Sequence, residues 1–106
     1  METLQMLYNT MMDDMKDGEI YLHNGEKLAK NEPELSKYYL ELSKYRLNHF
    51  LEVHSKFKDI VAKIKAESLN PAESADKMCW NTAHAYFMDK YEHLKYKLET
   101  MLKTKI

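Results

Sequence analysis

In the stretch SKYYLELSKYRLNHF, residues 36–50, Arg46 and His49 stand three residues apart on a row of otherwise apolar side chains. Positions i and i+3 of a helix project side by side, so a guanidinium and an imidazole are offered to one place. A carboxylate at position 46 would make that spacing a metal-ligating pair. Arginine instead carries a permanent cation, has no lone pair to give and repels a metal ion. Burying it alone would be expensive, so an inward Arg46 requires an acid beside it. An outward Arg46 would lay its stem on the core and keep its head in water.

Acids able to meet these two residues lie in the first third of the chain. If the segments on either side of residues 31–34 pack against each other in opposite directions, residues at one height have numbers adding to about 65. Asp14 with His49 and Glu19 with Arg46 both satisfy that relation. Asp14, Arg46 and His49, joined by His84 on the third segment, form the expected buried polar cluster. Asp14, Glu19 and His49 are the candidate metal ligands. Hydrogen-bonded core roles compete with these readings for His49 and His84, while His23, His54 and His93 are expected to face water.

Three long helices must position these groups. The expected spans are about 3–30, 34–67 and 71–103, forming one domain over residues 1–106. Thr3 is a candidate N-cap for the first helix. Asn31, Pro33 and Glu34 form a restart signal, and Asn70, Pro71 and Glu73 form another. A 4-3 spacing runs through Leu4, Tyr8, Met11, Met15, Gly18, Leu22, Gly25 and Ala29, with Asp14 in a flanking row beside Leu7, Tyr21 and Leu28. The second helix repeats the spacing through Leu35, Tyr39, Leu42, Arg46, His49, Val53, Phe57, Ile60 and Ile64. The third does so through Trp80, His84, Phe87, Tyr91, Leu94, Leu98 and Met101. Such rows predict an all-α bundle of three long antiparallel helices crossing at shallow angles. Its core would be narrow, and a second subunit is expected to complete it.

Gly18 and Gly25 stand one heptad apart on the first apolar row. A glycine inside a helix costs about 1 kcal/mol relative to alanine. Two on one face predict close backbone approach, or room for a large neighbour such as Tyr45, Phe87 or Tyr91. The opposing possibility is a ligand-sized space.

Composition narrows the function classes. The 106 residues hold two glycines, two prolines and 31% charged side chains, and the net charge is −1. That balance supplies no global basic field for nucleic acid or anionic lipid. The lysine-rich segments KFKDIVAKIK and KYKLETMLKTK interleave with apolar residues and read as solvated helix faces. The N-terminus lacks a basic signal region, and no apolar run reaches membrane-spanning length. A single cysteine, Cys79, fits a reducing cytoplasm and is expected to be inert. The eight tyrosines read as boundary residues and the eight methionines as core filler, with Met6, Met11, Met12 and Met15 offering a binding surface. No phosphate loop, activated nucleophile or zinc spacing nominates a conventional enzyme.

Residues 13–57 resemble the first hairpin of ferritin-like and rubrerythrin-like proteins, in particular small ferritin-like proteins encoded by phages and prophages. Their second helix reads P-E-L-x-x-x-Y-x-x-L-S-x-x-E-x-x-H-x-x-x-L-H, and Pro33, Glu34, Leu35, Tyr39, Leu42, Ser43, His49 and His54 fit it. The resemblance implies a bundle whose carboxylates and histidines hold two metal ions. His49 matches the histidine, and Asp13 or Asp14 falls near the first-helix carboxylate. Arg46 departs from the pattern, and the third helix carries no Glu-x-x-His; Asp89 and His93 are spaced i, i+4 and lie off its apolar row.

The resulting expectation is a non-enzymatic structural or interaction protein with a degenerate metal site and no cofactor. Its expected partners are a second copy of itself and a further protein, with neither nucleic acid nor membrane. The alternative is an iron-binding or related divalent-metal protein in which Asp14, Glu19 and His49 of two subunits build one site. A third reading is an adaptor that holds a partner helix on its Met-rich first helix.

Overall fold

With so few glycines and prolines, the chain has little to interrupt a helix, and it forms three: α1 (Glu2–Leu28), α2 (Pro33–Glu67) and α3 (Pro71–Leu102). The computed structural model describes the backbone of residues 2–67 and 71–103, and the side chains of 3–64, 66 and 83–103. The expected role of Asn70 lies outside the described residues, and those of Glu73, Cys79 and Trp80 rest on side chains outside the described ones. The three-helix architecture agrees with the sequence reading. Among the described residues no helix is long and apolar enough to cross a membrane.

The first connection takes residues 29–32, because α1 ends at Leu28 and α2 begins at Pro33. Glu32 N–H donates to Leu28 O and Ser36 N–H donates to Glu32 O, both at 2.8 Å. Glu32, not Asn31, is therefore the residue whose carbonyl opens α2. Pro33 takes the first helical position, where a missing N–H costs nothing, and Glu34 adds an acid to the first turn. At the far end, Lys103 takes a φ of 57° and closes α3 in the left-handed region.

α1 and α2 pack along their length, while α3 lies more on α2 than on α1. The molecule is a slab with principal extents of 57 × 21 × 16 Å. Its core runs through Leu4, Met11, Met15 and Leu22 of α1, Leu40, Leu47, Phe50 and Phe57 of α2, and Phe87, Tyr91, Leu94 and Leu98 of α3. Burial of each such side chain contributes roughly 1.5–3 kcal/mol. Phe50 is the hub, with Phe87 and Tyr91 of α3 at ring-centroid distances of 5.9 and 5.7 Å.

Over the described side chains, the predicted rows of α1 and α3 match this core, apart from Ala29, which is exposed. The predicted row of α2 is displaced by one residue over its first half. The buried positions there are Ser36, Leu40, Ser43, Leu47 and Phe50, whereas Leu35 is exposed and Arg46 and His49 are only half-buried. The glycines explain the shift. Ser43 Oγ donates to Gly18 O at 2.7 Å and Ser36 Oγ donates to Gly25 O at 2.6 Å. Helices this close admit only small side chains at the contact, so serines fill positions that an apolar count assigns elsewhere. The neighbours of Gly18 are Leu47 and Arg46, and those of Gly25 are Leu40 and Ser36, so close helix approach is the alternative found, and Tyr45, Phe87 and Tyr91 are not among these nearest neighbours. Tyr45 is exposed.

Candidate functional site

The glycine–serine contacts fix the height at which the polar residues of α1 and α2 meet. Asp14 lies one turn before Gly18 on α1, and Arg46 and His49 lie three and six residues beyond Ser43 on α2. Asp14 is 1% exposed, and both of its oxygens are engaged. Oδ1 accepts from Arg46 Nη1 at 3.2 Å, and Oδ2 accepts from His49 Nδ1 at 2.6 Å. The second arm of the guanidinium reaches Asp17, with Nη2 3.2 Å from Oδ2. Arg46 thus forks across two acids one helical turn apart, a geometry lysine could not supply.

Desolvation works against the Arg46 charge, but Asp17 and then Asp14 outweigh it and hold the guanidinium above its ordinary value. The Nδ1–H of His49 is committed to Asp14, so Nε2 is the nitrogen left to accept a proton or a ligand. With 41% of its side chain exposed, His49 offers that nitrogen at the surface.

Three of the expected placements are corrected. Glu19 does not meet Arg46; it lies on the other flank of α1, paired with Lys90 of α3 at 3.2 Å. A register in which the Gly–Ser pair numbers add to 61, not about 65, moves Glu19 past Arg46 and brings Asp17 to it. His84 does not join Asp14, Arg46 and His49 either. It sits on α3, its Nδ1 against Nε2 of His54 and the two rings stacked 4.5 Å apart. His54, expected in water, is buried between His84 and Phe50. Burial first, then His84 and Lys58, lowers its basicity. His23, His93 and Asp89 are exposed.

Asp17, Ser36, Ser43 and the His54–His84 pair were missed by the sequence reading. Asp17 was legible as the i+3 neighbour of Asp14, and the serines as the residues whose spacing of seven matches that of the glycines. The Met-rich segment divides: Met11 and Met15 are core, while Met6 and Met12 are 64% and 49% exposed.

Chemically, the cluster is an ion-paired lock with an oriented, half-exposed imidazole at its edge. The residues present do not fit a two-metal centre: the buried acid is already doubly hydrogen-bonded and a guanidinium stands beside it. Among the described residues, no three metal-ligating side chains converge. Two shallow grooves lie between α1 and α3 and share Glu26 and Lys97, which are themselves paired at 2.7 Å. Neither reaches the Asp14 cluster.

No protein-family model, no curated protein and no solved structure matches this chain.

Proposed function

We propose that this chain is a non-enzymatic structural or interaction protein, a ferritin-like antiparallel hairpin with a third helix, working in the cytoplasm as a homodimer. The observation that carries this reading is the engagement of Asp14. An acid that is 1% exposed, with Arg46 on one oxygen and His49 on the other, serves as a fastener between α1 and α2. Arg46 supplies there a fixed positive charge in place of an exchangeable metal ion. The resemblance of residues 13–57 to phage and prophage ferritin-like hairpins suggests the descent of such a scaffold from a metal-binding one. An interaction role draws support from the large apolar side chains left at the surface, among them Tyr38 and Tyr45 at 59% and 69% exposure.

One observation favours a second reading, a residual divalent-metal protein. A carboxylate on one imidazole nitrogen is the usual support for a metal ligand on the other, and Asp14 supports His49 in that way. A second subunit would have to bring the remaining donors, since Glu19 is held by Lys90 on the other flank.

Elemental analysis of protein purified without chelator, before and after adding ferrous iron or zinc, separates the two. The first reading expects no stoichiometric metal in either sample. Bound metal that disappears in His49→Ala would overturn it in favour of the second.

A further inference from the structure

The α1–α2 pair has two flanks, and α3 covers one. Tyr8 and Glu19 on α1 meet Phe87 and Lys90 of α3. Phe50 and His54 on α2 meet Tyr91 and His84. The opposite flank holds Asp14, Asp17, Tyr21 and Leu28 of α1 against Leu35, Tyr39, Leu42, Arg46 and His49 of α2. Its cross-helix contacts include the Asp14 cluster and the Tyr21–Tyr39 ring pair, at 6.2 Å.

The apolar members of this second flank are half-buried or exposed. Tyr21, Leu28, Tyr39 and Leu42 are not among the half-buried side chains that pack against the core. Leu35, Tyr38 and Tyr45 extend the patch outward at 44%, 59% and 69% exposure. Among the described residues, the 4-3 row from Leu35 to His49 therefore carries the spacing of a helix seam without a further helix upon it.

We infer that this flank docks a second copy of the same chain, an inference that rests on the homodimer reading and specifies its surface. Two arguments select a second copy. The first is charge. On this flank the acid that reaches the surface, Asp17, belongs to α1, and the half-exposed bases, Arg46 and His49, lie at nearly the same height on α2, while Asp14 is buried beneath them. A two-fold axis along the helices sets each α1 over the partner's α2. Asp17 of each copy then faces Arg46 and His49 of the other, and the apolar end of one copy meets the apolar end of the other. Such self-complementarity is what an isologous interface requires. Arg46 and Asp17 keep 36% and 34% of their side chains exposed, which leaves both able to reach across. The second argument is area. α1 is about 40 Å long and two helices side by side span about 20 Å, giving a face of roughly 800 Å² per copy. That is the size of a standard stable interface.

The test is the solution mass of the full chain by light scattering up to about 100 μM, with helicity checked by circular dichroism. Wild type is expected at twice the 12.7 kDa chain mass. Leu42→Glu and Tyr45→Glu are expected to weaken association about tenfold or more. Tyr96→Glu, at an equally exposed tyrosine of α3, is expected to leave it unchanged. Tyr45→Glu protects the test from misfolding, since that side chain is largely in water. A wild-type monomer would overturn the inference and assign the flank to a different protein. A dimer indifferent to both flank variants, or one broken by Tyr96→Glu, would overturn it too. Metal content is measured separately, so a failed dimer and a restored metal site give different results.

Discussion

Replacing each of the two glycines by alanine should have unequal effects on stability, with a loss only at Gly25, although both sit on one face of one helix. At either site the substitution removes a helix-interior glycine, a gain of about 1 kcal/mol. At Gly18 the new Cβ would meet Leu47 Cδ2 at 3.1 Å and Cγ at 3.4 Å. Leu47 is fully buried, but a few tenths of an ångström of movement at the end of its side chain is enough to relieve that contact. Gly18→Ala should therefore be neutral or more stable by up to about 1 kcal/mol. At Gly25 the Cβ would lie 2.5 Å from Leu40 Cδ2, 2.7 Å from its Cγ and 3.3 Å from the backbone oxygen of Ser36. Leu40 is 5% exposed and has little free space to turn into. Relief requires the helices to part, which lengthens the 2.6 Å bond from Ser36 Oγ to Gly25 O. Overpacking costs about 1–3 kcal/mol and a weakened buried hydrogen bond about 0.5–1.5 kcal/mol. After the propensity gain, Gly25→Ala should lose about 1–3 kcal/mol, a fall in Tm of roughly 4–8 °C per kcal/mol for a domain this size. Urea and thermal unfolding of both variants measure it. A Gly25→Ala protein as stable as wild type would refute the close-contact account, as would equal changes at the two sites.

The remaining expectations concern the two polar pairs. His54 is held less basic in the fold than its ordinary value of 6.5 by burial, then by His84 and Lys58. The unfolded chain therefore binds this proton first. The stability linked to His54 is complete above about pH 6.5 and is lost as pH falls from there through the lower folded value, by at most about 1.4 kcal/mol per pH unit. Unfolding titrations across pH 5–8 should show this slope in wild type and a shallower one in His54→Gln; parallel curves would contradict the assignment. In the Asp14 cluster, Arg46→Ala leaves a carboxylate at 1% exposure with only His49, and should cost about 2–4 kcal/mol, softened by water entering at the half-exposed arginine position. The double replacement Asp14→Leu with Arg46→Leu should cost less than that single change; chemical denaturation that found the reverse order would show the pair contributing net stability.

The helices were legible because nothing competes with them: the apolar rows of α1 and α3 carry large side chains at regular intervals, and the core follows those rows. α2 was harder, because apolar residues surround much of its circumference. The count favoured Leu35, Tyr39 and Leu42 over Ser36 and Ser43, and only the opposing glycines reverse that preference. A cross-helix meeting of Asp14 with His49 followed from the connection at 31–34. Glu19 and Asp17 exchanged places because a register is set by atomic contacts between the helices, which a turn position fixes only to within about one turn. The His54–His84 pairing depends on how α3 lies on α2, a matter of packing that neither helix's own pattern states.

The heptad spacing shared by the glycines and serines leaves an ambiguity for the cluster to resolve. Slide α2 along α1 by seven residues and Gly18 comes opposite Ser36, so one of the two small-residue contacts survives intact. Helices keyed only by those contacts would have two nearly equivalent seats. In the slipped seat, however, Asp14 comes level with Leu40 and loses Arg46, Asp17 loses its guanidinium arm, and a buried acid stands against hydrocarbon. The ion pairs thus act as an address as well as a fastener: the glycines let the helices approach, and Asp14 decides which of the available alignments is the native one.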